Sequence, residues 1–142
     1  MKTSKEILDS VLKTTQMGQV GIRAVRNYAM NAELKTALQD QLSEYNEIER
    51  EVNAIASSRG WDLKDLDPTA KIMSNMYART NLAFGKADSK IAAMMVQGNT
   101  RGMIKGLKNL HHAKNNDSRV NNIAQKLLDC ENANIKQMQG FI

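Results

Sequence analysis

Few side chains in these 142 residues are placed to do chemistry. The chain has one cysteine, Cys130, and its two histidines, His111 and His112, are adjacent. It contains no HExxH pair, no CxxC pair and no glycine-rich phosphate loop. Cys130 has no histidine near it in sequence and reads as an inert thiol rather than a nucleophile. Three features remain. Glu131 falls on the same helical face as Leu127 and Met138, with Asn134 one turn on. A buried carboxylate is costly unless it is paired. Glu131 is therefore read first as a polar edge position or a buried acid bonded to Gln19, Gln97 or Tyr45, and second as the relic of a carboxylate metal site. Arg101, Lys105, Lys108 and His112 form a basic stripe, with Lys90 and Lys114 nearby. This reads as a solvated face beside an acidic neighbour, with phosphate or nucleic-acid binding as the sharper alternative. No aromatic residues interleave the stripe to stack on bases, so nucleic acid is not the expected partner. The third feature is Gly98, Gly102 and Gly106 at spacing four.

Helices must position these residues. Thr3 followed by Glu6 is a capping-box pattern, opening a helix from Ser4 to about Tyr28 with Leu8, Val11, Thr15, Ile22 and Val25 inward. Ala29-Met30-Asn31 makes a tight turn with Asn31 as the next cap. A second helix runs to Arg59, with Leu34, Leu38, Leu42, Tyr45, Ile48, Val52 and Ile55 on one stripe and Gly60 at its C′ position. Residues 61–67 form a loop. Asp67-Pro68 caps a shorter helix to about Ala83 that carries Ile72, Met73, Met76 and Leu82. Gly85 and the Lys86-Ala87-Asp88 string end it, with Asp88 as the cap of a helix from Ser89 to His112 containing Ile91, Met95, Met103, Leu107 and Leu110. Asn115-Asn116-Asp117-Ser118 turns the chain into a last helix, Arg119 to Gln139, with Val120, Ile123, Leu127, Ile135 and Met138 inward.

The layout predicts an all-α, single-domain chain over residues 1–142: two long-helix hairpins joined by a crossover with its own short helix. A crossover of that length can carry the chain back along the bundle, giving an up-down-down-up, ferritin-like four-helix bundle. In that topology the first helix and the glycine-striped helix are antiparallel neighbours. Gly18 and Gly21 of the former are expected to pack closely against Gly98, Gly102 and Gly106, the alternative being a groove for a partner subunit or ligand.

Composition narrows the function. One cysteine permits no internal disulfide, and the opening residues lack the apolar run of a signal peptide, which together predict a cytoplasmic location. No stretch approaches the roughly 18 apolar residues of a membrane span, so no membrane partner is expected. Net charge is +5 and uneven: residues 31–60 hold six acids against three bases, and residues 87–116 hold five bases against one acid. Oppositely charged helices attracting within one bundle is the simplest account.

Four strings, Gly18-Gln19-Val20-Gly21, Ser57-Ser58-Arg59-Gly60, Ile91-Ala92-Ala93-Met94-Met95-Val96-Gln97-Gly98 and Glu131-Asn132-Ala133-Asn134-Ile135, resemble uncharacterised bacterial ferritin-like proteins of a clostridial type. The resemblance spans nearly the whole chain and implies a ferritin-like bundle with no firm activity. Metal-binding members of that fold supply a Glu from each of two helices and a Glu-x-x-His from each of the others. Matched to those slots, Gln19 and Gln97 stand where two acids belong. Glu131 fits its slot but Asn134 replaces the histidine, and Glu44 and Glu47 have no histidine after them. The expected polar bundle centre is therefore Gln19, Tyr45, Gln97, Glu131 and Asn134. No cofactor is expected; Glu131, Glu44 and Glu47 are the residual metal candidates under a di-iron or di-manganese alternative. The leading expectation is a metal-free binding or structural module, a homodimer, with the exposed methionines Met73, Met76, Met94 and Met95 as an adaptable contact surface open to a protein partner.

Overall fold

A computed structural model describes residues 2–83, 85, 87–113 and 117–142. The expected positions of Lys86, Lys114, Asn115 and Asn116 lie outside the described residues. Among the described residues five helices follow one another: α1 (Ser4–Val25), α2 (Ala32–Arg59), α3 (Pro68–Leu82), α4 (Ala87–His111) and α5 (Ser118–Gln139), with a 3₁₀ turn, Arg26–Tyr28, after α1. No strand occurs among the described residues beyond an isolated bridge from Lys2 to Ala113. Among the described residues no helix is long and apolar enough to cross a membrane.

Local chemistry sets most of the boundaries. The Thr3 hydroxyl accepts from the Glu6 N–H, the Asn31 side chain accepts from Glu33 and Leu34, and Asp67 accepts from Thr69 ahead of Pro68 at the first turn. Gly60 ends α2 with φ at 67°, the left-handed conformation that glycine adopts without a Cβ penalty. Asp117 caps α5 through the N–H groups of Arg119 and Val120. One expected cap does other work. α4 begins two residues early, at Ala87, and the Asp88 carboxylate accepts from the backbone N–H groups of Met30 and Asn31 at 2.7 and 3.0 Å. It ties the start of α4 to the α1–α2 turn.

The long helices pair antiparallel. α1 and α2, and α4 and α5, form the two hairpins. Lys2 N–H donates to the His112 carbonyl and the Asn109 amide to Ser10, while Asp88 holds the other end of α1, so α1 and α4 run in opposite directions. Arg59 pairs with Asp117, Lys126 with Glu51, and Gln41 donates to Gln137, so α2 and α5 do likewise. α1 also packs against α5 across the centre, which leaves α2 and α4 on far corners. The acidic helix α2 is therefore not the neighbour of the basic stripe. Arg101, Lys105, Lys108 and His112 are exposed on α4, and the ion pairs among the described residues are Arg59–Asp117 and Lys126–Glu51.

The core holds the expected stripes of α1 and α2, together with Ile91 and Met95 of α4 and Val120, Ile123, Leu127 and Met138 of α5. Leu107 of α4 and Ile72 of α3 are exposed, and so, as expected, are Met73 and Met76; α3 is anchored by Ala78 and Leu82. The crossover is pinned to α1, with Leu66 N–H donating to Gln16 Oε1 at 2.7 Å and Gln16 Nε2 donating to Asp65 at 2.9 Å.

Removing the Asp88 carboxylate leaves two turn N–H groups without their acceptor. Asp88→Ala is expected to cost about 1–2 kcal/mol, as a lost cap does. Urea unfolding measures it, and an unchanged midpoint would show that the tie contributes nothing.

Candidate functional site

The polar centre of the bundle is built on one hydrogen bond. Tyr45, fully buried on α2, donates its hydroxyl proton to Glu131 Oε1 on α5 at 2.6 Å. Asn134, one turn further on α5, reaches the same hydroxyl oxygen through Nδ2 at 3.4 Å. Asn99 of α4 closes the group, with its amide oxygen 3.2 Å from the Tyr45 hydroxyl and its Nδ2 buried without a partner. A phenol has one proton, and the shorter contact with the carboxyl takes it. Turning the Asn99 amide over places its NH₂ against the Tyr45 oxygen as a donor and relieves the unpaired nitrogen. One turn along α2 and α5, the bond from Gln41 to Gln137 extends the polar line at 2.8 Å.

Two glycines make room for the pair. A Cβ on Gly18 of α1 would lie 2.7 Å from Cε2 and Cζ of the Tyr45 ring. A Cβ on Gly102 of α4 would lie 3.0 Å from Glu131 Oε2 and 3.2 Å from Thr14 Cγ2. Gly106 sits over Leu128 at ordinary contact distance, while Gly21 and Gly98 face open space. The expected meeting of the two glycine sets is corrected accordingly. On α4, Gly102 accommodates Glu131 of α5 and Thr14 of α1 and Gly106 accommodates Leu128 of α5, and on α1, Gly18 accommodates Tyr45 of α2.

Three members of the expected polar centre, Tyr45, Glu131 and Asn134, come together. Gln19 is buried but bonds elsewhere, donating to Asn46 at 3.0 Å and Glu49 at 3.5 Å of α2. Gln97 is exposed, and Asn99, two residues on, occupies the inward position. The sequence carries a signal for Asn99: it stands four residues from both Met95 and Met103, on the buried line that continues through Gly102. Glu44 and Glu47 lie exposed on α2, and both histidines are exposed. Met95, expected on the surface, is buried, and Met94 is half-buried.

The electrostatics follow from burial. Desolvation raises Glu131 to about 7, against the lowering effect of the Tyr45 bond, and the Tyr45 phenol is pushed up by burial and by Glu131 beside it. Cys130 is half-buried, with Sγ donating to Glu44 Oε2 at 3.2 Å; burial and that carboxylate push its thiol up. A thiol so held stays protonated and weakly nucleophilic. Among the described residues no three His, Cys, Asp or Glu side chains converge as a metal-binding group.

The fold and centre define an all-α helical bundle with a hydrogen-bonded polar core. No family model matches the sequence, and none of the curated proteins matches it. Among solved structures, the crystal structure of a DUF305 fragment from Deinococcus radiodurans is similar, with a TM-score of 0.76 over 96% of this chain and 93% of that chain. Identity is 12%, so the likeness is one of fold.

Two outcomes test the centre. Gly18→Ala is expected to lose about 1–2 kcal/mol, overpacking against a rigid ring outweighing the gain in helix propensity. Gly98→Ala, facing open space, should gain up to about 1 kcal/mol. Equal effects in denaturant titrations would sink the steric account. Because folding raises the Glu131 pKa, the folded state binds the extra proton. The cost of burial is thus absent below the unfolded value of 4.5, grows as pH rises, and is complete above about 7. Relative to Glu131→Gln, the wild-type chain should lose up to about 3 kcal/mol between pH 4.5 and 8. Parallel stability–pH curves for the two proteins would refute this.

Proposed function

We propose that this chain is a ferritin-like bundle of up-down-down-up order that works as a metal-free binding or structural module, a homodimer in the cytoplasm. The antiparallel pairing of α1 with α4 and of α2 with α5, across a crossover that carries α3, supports the topology. The resemblance to clostridial-type ferritin-like proteins supports the same reading. An unpaired thiol supports a reducing compartment.

The observation that carries the functional reading is the donor set around Glu131. Glu131 accepts from the Tyr45 phenol, whose oxygen in turn meets the amides of Asn99 and Asn134. Iron and manganese sites of this architecture take several carboxylates and imidazoles. Glu44 is exposed and engaged with Cys130, and Glu47 is exposed. The residues present do not fit a di-metal centre. They fit a polar contact that joins α2, α4 and α5. Nucleic-acid binding has only the exposed bases of α4 in its favour, without aromatic residues among them.

Protein purified from cells supplied with iron and manganese should carry substoichiometric metal by elemental analysis. Stoichiometric metal that disappears in Glu131→Ala would overturn the reading in favour of a ferritin-like metalloprotein.

A further inference from the structure

Helix α3 is built inside out. Its line toward the bundle is Ala70, Ser74, Ala78 and Leu82, at steps of four: Ala78 and Leu82 are buried, Ala70 and Ser74 half-buried. These mostly small side chains set α3 against α1. Its other large apolar side chains are on the outer surface, Ile72 59% exposed, Met73 70%, Met76 62% and Tyr77 54%. At positions i, i+1, i+4 and i+5 they form one ridge along the helix. A ridge of this size left in water is unusual on a soluble domain and marks an interaction surface.

The charged side chains of α3 itself have one sign. Lys71 and Arg79 are exposed on α3, and Lys90 of α4 reaches the Asn81 carbonyl at 3.4 Å. No acid occurs between Asp67 and Asp88.

We propose that α3 is a docking helix for an anionic lipid surface, lying along it with Ile72, Met73 and Met76 entering the acyl boundary, Tyr77 at headgroup level, and Lys71, Arg79 and Lys90 against the headgroups. An interfacial helix needs apolar side chains on one side, cations beside them and no acid between. A second copy of the chain fits this surface less well. Two α3 ridges laid antiparallel about a two-fold axis bring Lys71 of each copy toward Arg79 of the other, with no α3 acid between them. An acidic protein would answer the charge but would have to supply a groove shaped to the ridge, whereas a fluid surface deforms to it. No membrane partner is expected from hydropathy because such scans register only spans, and α3 lies on the surface rather than crossing it. The proposal rests on the reading of the chain as a binding module. Metal content and lipid binding are separate readouts, so either can fail alone.

The test is flotation of the full chain with vesicles of phosphatidylglycerol mixed with phosphatidylcholine, and with phosphatidylcholine alone. Binding to the anionic vesicles at low salt, weakened by added salt, is the expected result. Ile72→Gln/Met73→Gln/Met76→Gln should bind at least roughly tenfold more weakly. Lys71→Gln and Arg79→Gln should each lose roughly fivefold. Because the three apolar positions are exposed, the triple variant should keep the wild-type circular dichroism and melting curve. Failure of the wild type to float with anionic vesicles at low salt overturns the proposal. So does equal flotation of the folded triple variant, which would assign the attraction to the basic face of α4. Self-association in sedimentation that vanishes in the triple variant also overturns it, because the ridge would then be covered by a second copy.

Discussion

The Tyr45–Glu131 hydrogen bond is the constraint around which the four long helices are arranged. It joins α2 to α5 at 2.6 Å in the middle of the bundle, with the buried amides of Asn99 and Asn134 beside it. A phenol ring and a carboxyl group cannot both enter the centre unless the backbones beside them carry no side chain. Gly18 supplies that space on α1 and Gly102 supplies it on α4. Glycine in a helix interior costs about 1 kcal/mol relative to alanine. At these two positions that cost is offset by the burial of Tyr45 and by a polar contact that would otherwise clash. Gly21 and Gly98 have no such compensation in contacts within the chain.

Away from the centre, α1 is the element most others lean on. It packs against α2, α4 and α5, and it carries the crossover through Gln16 and Asp9, whose carboxylate accepts from Lys64 N–H. The bundle ends are closed by polar ties of long sequence separation: Asp88 on the α1–α2 turn, and Arg59 with Asp117 where α2 ends and α5 begins. Burying α1 on several sides leaves α2 and α4 at the corners, with acids outward on one and bases outward on the other. Attraction between those two helices is therefore not what holds the bundle together.

What could be read from the sequence divides by the range of the interaction. Asn31, Gly60 and Asp67-Pro68 act on their own or adjacent turns, so they mark helix ends wherever the helix ends up. The stripes of α1 and α2 were equally legible, because a run such as Leu38, Leu42, Tyr45, Ile48 has one buried solution. Asp88 was misread as a local cap because its acceptor role depends on which turn lies opposite. Gln97 and Asn99 differ by two positions, about 200° around a helix, and it is Asn99 that falls in line with Met95 and Gly102, a stripe that the slot matching of Gln97 passed over. On α3 the exposure of Met73 and Met76 was legible, but the face that packs was not. Periodicity identifies its apolar side, but the small-residue line Ala70, Ser74, Ala78 is what meets α1, since close approach of two helices favours small side chains over large ones.

The polar centre costs stability when Glu131 ionises, and its physical role follows from what the alternatives would cost. Sliding α5 by one turn against α2 would set Tyr45 opposite Leu127 or Ile135 and leave Glu131 and Asn134 facing apolar side chains. A carboxyl and an amide stranded without partners are each penalised by more than the net gain of one good hydrogen bond. Apolar stripes alone discriminate weakly between such registers, because leucine and isoleucine replace one another at modest cost. The cluster of Tyr45, Asn99, Glu131 and Asn134 discriminates strongly, in the way a single buried asparagine fixes the register of a coiled coil. A residue that looks like the remnant of a metal ligand therefore has a sufficient reason to be where it is: it selects one alignment of α2, α4 and α5, and with it the alignment in which Gly18 and Gly102 face the two groups that need their space.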